Sequence, residues 1–403
     1  MSLPIHVAHE NYATIGVTPF RSSELLRGRK TAAETKNLKR ILCIVGTRPE
    51  CIKLAPVIQA LKGAGWAGVR VIATGQHREL TRQTLAIFGI GIDHDLEVME
   101  PDQTLASLSA RVLERLDPLL MTETPDLVLA QGDTTTVLMS ALGCFYRRIP
   151  FGHVEAGLRT HDLGSPFPEE LNRVATSLTA QLHFAPTEGA RANLLAERVG
   201  EAQIHVTGNT VIDALLSVTR ARLPCAYPAG TDAKLILLTA HRRENFGRPL
   251  DDICSAVRQL HDARADIEIV YPVHPNPNVT GPVRARLAGL ERVHLIEPVD
   301  YRTLAGLLQS CHFVLTDSGG IQEEAPALGK PVLVLRQETE RPEAVSAGVA
   351  LVVGTDPGKI VREANRLLDD PVHYSRMAQG GSPYGDGRAS ARIVSICRKF
   401  LGA

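Results

Sequence analysis

At 403 residues the chain exceeds what one ordinary hydrophobic core supports, so two domains are expected. Its 44 Lys and Arg balance 44 Asp and Glu, and a net charge of zero argues against a surface built for nucleic acid or an acidic membrane. Seven scattered cysteines with no C-x-x-C pair argue against a disulfide framework or a zinc site. No run approaches the roughly 18 apolar residues of a membrane span, and the N-terminus lacks the apolar segment of a secretory signal. A cytoplasmic α/β protein is the expectation.

Residues 1–37 show no sustained periodicity and are expected to form a flexible extension, with a short helix near 22–26. The pattern changes at Lys39. An apolar strand over 40–45 leads into Gly46-Thr47-Arg48-Pro49-Glu50 and a helix to about residue 63, with Pro49 in the first helical turn, where proline is tolerated. Arg48 and Lys53 thereby stand beside a strand end, where parallel sheets keep their ligands. Either cation alone reads equally as a solvated helix residue. A second strand over 69–74 ends in Gly75-Gln76-His77-Arg78-Glu79, where His77 is either a ligand contact or a cap of its own helix.

The next two strands, 126–130 and 151–154, each run into a carboxylate. Asp133 reads as an N-cap or as a group held at the ligand edge of the sheet. Glu155 directly follows a buried strand, a place a charge occupies when it is paired or used. Glu169 opens a helix with Arg173 four residues on, an i,i+4 spacing that also suits a plain surface ion pair. Three carboxylates at one rim, without cysteine or histidine at metal-ligand spacing, point to acid–base chemistry with no metal.

A Pro/Gly-rich stretch over 223–232 reads as the linker. The second half restarts with a strand over 235–239 followed by Ala240-His241-Arg242-Arg243. His241 reads as a pyrophosphate contact or as a loop histidine. Further strands are expected at 267–271, 293–296, 313–315 and 332–335, with helices near 301–309, after Asp356 and over 387–400. The most telling stretch is 316–320, Thr-Asp-Ser-Gly-Gly, between a strand and a helix. Adjacent glycines let the backbone approach a ligand, Ser318 adds a donor, and the helix N–H groups favour an anion. With Glu323 or Glu324 placed for a ribose, Ser318, Gly319 and Gly320 read as a nucleoside-diphosphate loop. A strand–Gly–helix turn with dipole-favouring glutamates is the plainer alternative. Two runs of strand–helix repeats predict two doubly wound, Rossmann-like domains facing a cleft. No G-x-G-x-x-G follows a strand, so no nicotinamide cofactor is expected.

These stretches together, from residues 46–50, 76–79, 132–136, 153–160 and 168–173 to 208–213, 241–244, 271–279, 316–331, 340–345 and 383–387, make the chain resemble a non-hydrolysing bacterial UDP-N-acetylglucosamine 2-epimerase. The resemblance covers about residue 39 to the C-terminus. It implies a glycosyltransferase-B-like pair of domains, 38–207 plus 388–403 and 208–387, usually in a homodimer and with no cofactor. It also implies elimination of UDP to 2-acetamidoglucal and re-addition to give UDP-N-acetylmannosamine. Carried over by position, Asp133, Glu155 and Glu169 are the acid–base candidates, supported by Arg173 and His241. Arg48, Lys53, Ser318, Gly319, Gly320, Glu324 and Arg341 are the UDP contacts. Gln76, His77 and Arg78 match a segment where some relatives bind a second substrate molecule, partly through the residue matching Glu169. Leu304 stands where relatives carry an aromatic residue near the uracil. A glycosyltransferase of the same architecture and an epimerase for a UDP-diacetamido-uronate sugar remain the alternatives.

Overall fold

The computed structural model describes residues 38–75, 78–227 and 232–403. The expected extension over 1–37 lies outside the described residues. The first half alternates β1 (Lys39–Val45), α1 (Arg48–Gly63), β2 (Ala67–Ala73), α2 (Arg78–Ile87), β3 (His94–Asp95), α3 (Leu105–Glu123), β4 (Leu127–Gln131) and α4 (Thr135–Arg147). It continues with β5 (Phe151–Val154), α5 (Glu169–Thr179), β6 (Leu182–Ala185), α6 (Glu188–Ala196), β7 (Ile204–Val206) and α7 (Thr210–Val218). The second half runs β8 (Lys234–Thr239), α8 (Arg248–Ala263), β9 (Ile267–Pro272), α9 (Pro277–Leu287), β10 (Val293–Ile296), α10 (Tyr301–Ser310), β11 (Phe313–Thr316) and α11 (Gly319–Ala327). It closes with β12 (Val332–Val334), α12 (Pro342–Ser346), β13 (Ala350–Val352), α13 (Pro357–Asp369), α14 (Pro371–Ala378) and α15 (Ala389–Phe400).

The strands form two sheets, one of order β3-β2-β1-β4-β5-β6-β7 and one of order β10-β9-β8-β11-β12-β13. Every pairing in both is parallel. Helices cover both faces of such a sheet, which is why the central strands read as unbroken apolar runs. Ile41 to Val45 and Phe313 to Leu315 are essentially inaccessible. Each order reverses once, between β1 and β4 and between β8 and β11, and a doubly wound sheet opens its ligand crevice at that reversal. The loops leaving β1, β4, β8 and β11 are therefore the ones to inspect for chemistry.

The two halves are packed together. One apolar cluster takes in Ile52 and Leu54 of α1, Val211 of α7, Tyr301 of α10 and Ile321 of α11, and the Phe88 and Tyr301 rings meet at 6.1 Å. Helix α15, at the end of the chain, packs on α1 and α7. Its start is held by Asp213 of α7, whose carboxylate accepts from the Ala389 and Ser390 amides at 3.1 and 2.8 Å, a capping contact supplied from another helix.

Candidate active site

The crevice at the two switch points is one cleft with two compartments, each of about 360 Å³, sharing Pro49 and Lys53. The first lies between α1, through Arg48, Ile52 and Lys53, and the strand ends of the second sheet. Its far wall is the start of α11, through Ser318, Gly320, Ile321 and Glu324. Ser318 is the N-cap of this nine-residue helix, yet its side chain makes no capping bond, so hydroxyl and first-turn amides alike are left to a ligand. A Cβ built on Gly319 would lie 3.5 Å from Arg242 Nη2 and 3.7 Å from Arg341 Nη2. Two guanidiniums thus hang over the bare backbone, an arrangement matched to a diphosphate. Glu324, nearly buried, accepts from the Tyr301 hydroxyl at 2.9 Å. Burial pushes its carboxyl up to about 7, with Glu323 adding to the rise and the Tyr301 bond opposing it. Leu304, Pro272, Val299 and Tyr301 complete an apolar wall.

His241 lies on this compartment with its backbone amide, like that of Arg242, donated at 2.8 Å to Asp317 Oδ2. Its ring stacks on His274 at 5.4 Å. Burial lowers its pKa, with Asp317 pulling the other way.

The second compartment is lined by Asp133, Glu155, Glu169 and Arg173, with Glu50, Arg242, Glu340 and Arg341 around them. All three carboxylates expected at one rim are here. Glu155 leaves β5 with φ at 66°, a left-handed conformation that costs a non-glycine residue about 1–3 kcal/mol and persists only where its surroundings enforce it. Those surroundings are donors. Lys53 Nζ lies 2.5 Å from Oε1, Asn209 Nδ2 donates at 2.7 Å and Gln131 Nε2 donates to Oε2. Burial alone would raise the Glu155 pKa, but the Lys53 and Arg341 charges and these bonds hold it below the usual carboxylate value. A second buried carboxylate, Glu323, ties the knot across the halves. It accepts from Arg341 Nε and, at 3.1 Å, from Asn209, and lies 3.6 Å from Lys53.

Asp133 has the opposite environment. Burial raises it to about 6; Arg173 opposes the rise, and the Glu155 and Glu169 charges add to it. Two carboxylates in one compartment with pKa values driven apart are suited to opposite roles in proton transfer.

The local reasons differ from some expectations. Asp133 does not cap α4: Thr134 occupies that position, and its hydroxyl donates to Glu50 Oε1 at 2.5 Å instead of to its own helix. Glu169 and Arg173 are not an i,i+4 pair. Arg173 reaches Asp133 at 3.2 Å and Glu170 at 3.3 Å, because the buried Glu170 sits on the same inward face and leaves Glu169 to the compartment. Gln76 and His77 lie outside the described residues, and Arg78 opens α2. Sequence reasoning passed over Gln131, Asn209, Tyr301 and Arg242 as site residues. Gln131 carried a usable signal, a polar side chain ending an otherwise apolar strand. Glu323, offered together with Glu324 for a ribose, is engaged by Arg341 and Asn209; Asn209 carried no signal, since it bridges Glu155 to a carboxylate of the other half.

Residues 59–398 match the model of the family described as UDP-N-acetylglucosamine 2-epimerase. The chain is 50% identical over 369 residues to the UDP-N-acetylglucosamine 2-epimerase of Escherichia coli strain K12, spanning 89% of this chain and 98% of that one. It is 49% identical over 371 residues to the enzyme of the same name from Salmonella typhimurium, spanning 90% and 99%. Among solved structures, the Neisseria meningitidis UDP-GlcNAc 2-epimerase bound to UDP-GlcNAc superposes with a TM-score of 0.83 at 45% identity, covering 89% of this chain and all of that one.

Proposed function

The chain belongs to the UDP-N-acetylglucosamine 2-epimerase family, and from that premise we propose that its cleft interconverts UDP-N-acetylglucosamine and UDP-N-acetylmannosamine, without hydrolysis, by removing and restoring UDP. The observation that carries the reading is the joining of two compartments at Lys53, an anion cradle on one side and a carboxylate cluster on the other.

In this reading the pyrophosphate lies over Gly319 and Gly320 under Arg242 and Arg341, with the ribose at Glu324 and the uracil against the Leu304 wall. The sugar then projects past Lys53 into the second compartment. A carboxylate takes the proton from C2 as the C1–O bond to UDP breaks, leaving a C1–C2 double bond, 2-acetamidoglucal and UDP. UDP oxygen re-adds to C1 while a proton reaches C2 from the opposite face. No oxidant is needed, and the sugar gains and loses one proton. Inversion requires groups on both faces of C2, which is the use of Asp133, Glu155 and Glu169 together, with Arg173 holding Asp133. Arg48 and Lys53 offset the charge developing on the departing UDP. Arg48 also donates to the Val299 carbonyl at 3.1 Å, so it helps hold the two halves in register around the ligand.

We further infer a homodimer. Met121 of α3, Phe145 and Tyr146 of α4 and Leu178 of α5 stand exposed on three helices packed side by side, an apolar surface of the kind that another subunit covers.

The test is product analysis by anomeric proton NMR. UDP-N-acetylmannosamine should accumulate to a fixed ratio with its precursor. Free N-acetylmannosamine would overturn the non-hydrolysing reading.

A further inference from the structure

The loop between β11 and α11 holds a carboxylate that the site described so far does not use. Asp317 is fully buried, and its Oδ2 is saturated by three donors, the His241 and Arg242 amides at 2.8 Å each and Asn245 Nδ2 at 3.0 Å. Its other oxygen, Oδ1, is also inaccessible and has no hydrogen-bond partner among the described residues. His241 Nδ1 lies 3.5 Å from it. A buried carboxylate oxygen without a donor is costly, so a small rotation of the imidazole that closes this gap is favourable. The ring is already braced for one orientation by its stack on His274.

We propose that Asp317 is a positioning residue for His241: its Oδ1 takes the Nδ1 proton, so that Nε2, on the opposite edge of the ring, is fixed toward the pyrophosphate compartment. This rests on the proposed function only for what Nε2 meets there. The logic is that of a carboxylate behind a histidine, in which the buried acid selects the tautomer and compensates an imidazolium. When the pyrophosphate arrives, its negative charge favours protonation of Nε2, and the ring donates from both nitrogens, to Asp317 behind and to a phosphate oxygen in front. No bond to carbon is made or broken at the ring. The groups facing it are Asp317, His274 and Arg242, of which only Asp317 favours the charged form.

Asp317→Asn separates this role from a purely structural one. The amide oxygen can still accept all three donors that anchor the loop, while the amide nitrogen now faces Nδ1 and forces the reversed tautomer. The expected result is a kcat loss of about 10–100-fold, short of the roughly 10⁴-fold seen when the acid stands behind a base at the reacting centre, with the thermal midpoint unchanged. In a His241→Asn background the same substitution should cost almost nothing; an undiminished loss there would overturn the proposal. Independently of activity, nitrogen-15 NMR of the wild-type ring, assigned by the signals missing in His241→Asn, should show the proton on Nδ1. A neutral ring protonated on Nε2 alone would overturn it, even in an enzyme that turns over UDP-N-acetylglucosamine. A wild-type protein with Nδ1 protonated and no turnover would uphold the pair and reject the substrate.

Discussion

At the scale of single residues, the site works by giving similar side chains dissimilar surroundings. Glu155 is clasped by Lys53, Asn209 and Gln131 and stays ionised, whereas Asp133 is raised to about 6 by burial, with the Glu155 and Glu169 charges adding to the rise. A group that must be ionised to accept the C2 proton becomes competent above its pKa. The acidic limb of kcat/KM is therefore expected near pH 6 if Asp133 is the base, and Asp133→Asn should remove that limb together with about 10²–10⁴ of kcat while leaving the dissociation constant of UDP unchanged. A pH–rate profile with UDP titrations on both proteins checks this, and a limb that survives in Asp133→Asn would take the role away from Asp133. Much of this residue set was legible beforehand, because a charge immediately after an apolar strand is conspicuous. What pairs with it was not. Arg173 looked like a partner for Glu169 from spacing alone, and only the fold shows that Glu170 and Asp133 claim it.

At the scale of elements, the strand ends do the positioning. Strands β1, β4, β8 and β11 were readable as apolar runs because parallel strands covered on both faces have no polar alternation to hide them. Helix α3 was not read, since Thr104 caps it quietly and Pro118 lies within its pattern, nor was β6, whose short apolar run is broken by His183. The start of α11 was recognised from Ser318-Gly319-Gly320 and Arg341 from the family resemblance, but Arg242, which shares the space over Gly319, comes from the loop after β8 and was not. That construction gives a prediction for Gly319→Ala. The atoms nearest a Cβ there are those of the Arg242 and Arg341 guanidiniums, at ordinary contact distance, and the backbone needs no left-handed conformation, so folding should be unaffected. The methyl group would occupy the space of the anion, and UDP affinity should fall about tenfold, roughly 1.4 kcal/mol, by calorimetric titration. Unchanged affinity would place the pyrophosphate elsewhere.

At the scale of the whole molecule, two doubly wound halves set their switch points against each other, so neither owns the site. Lys53 and Glu155 from the first half and Glu323 and Arg341 from the second form one buried charge network, bridged by Asn209. Such a network is stable only while every partner is present, and removing one leaves a buried charge exposed to the full desolvation cost. The architecture and the family resemblance could be read from the sequence; the network could not, because the contacts that join its two parts, Asn209 and Lys53 to Glu323, form only when the halves pack. The central claim is that this joint site takes a proton from C2 and returns one to the opposite face. Its most direct measurement is turnover of UDP-N-acetylglucosamine in D2O, followed by proton NMR. Deuterium at C2 of UDP-N-acetylmannosamine, and in time of the recovered starting sugar nucleotide, is the predicted result. UDP-N-acetylmannosamine that retains its original C2 proton throughout would contradict it.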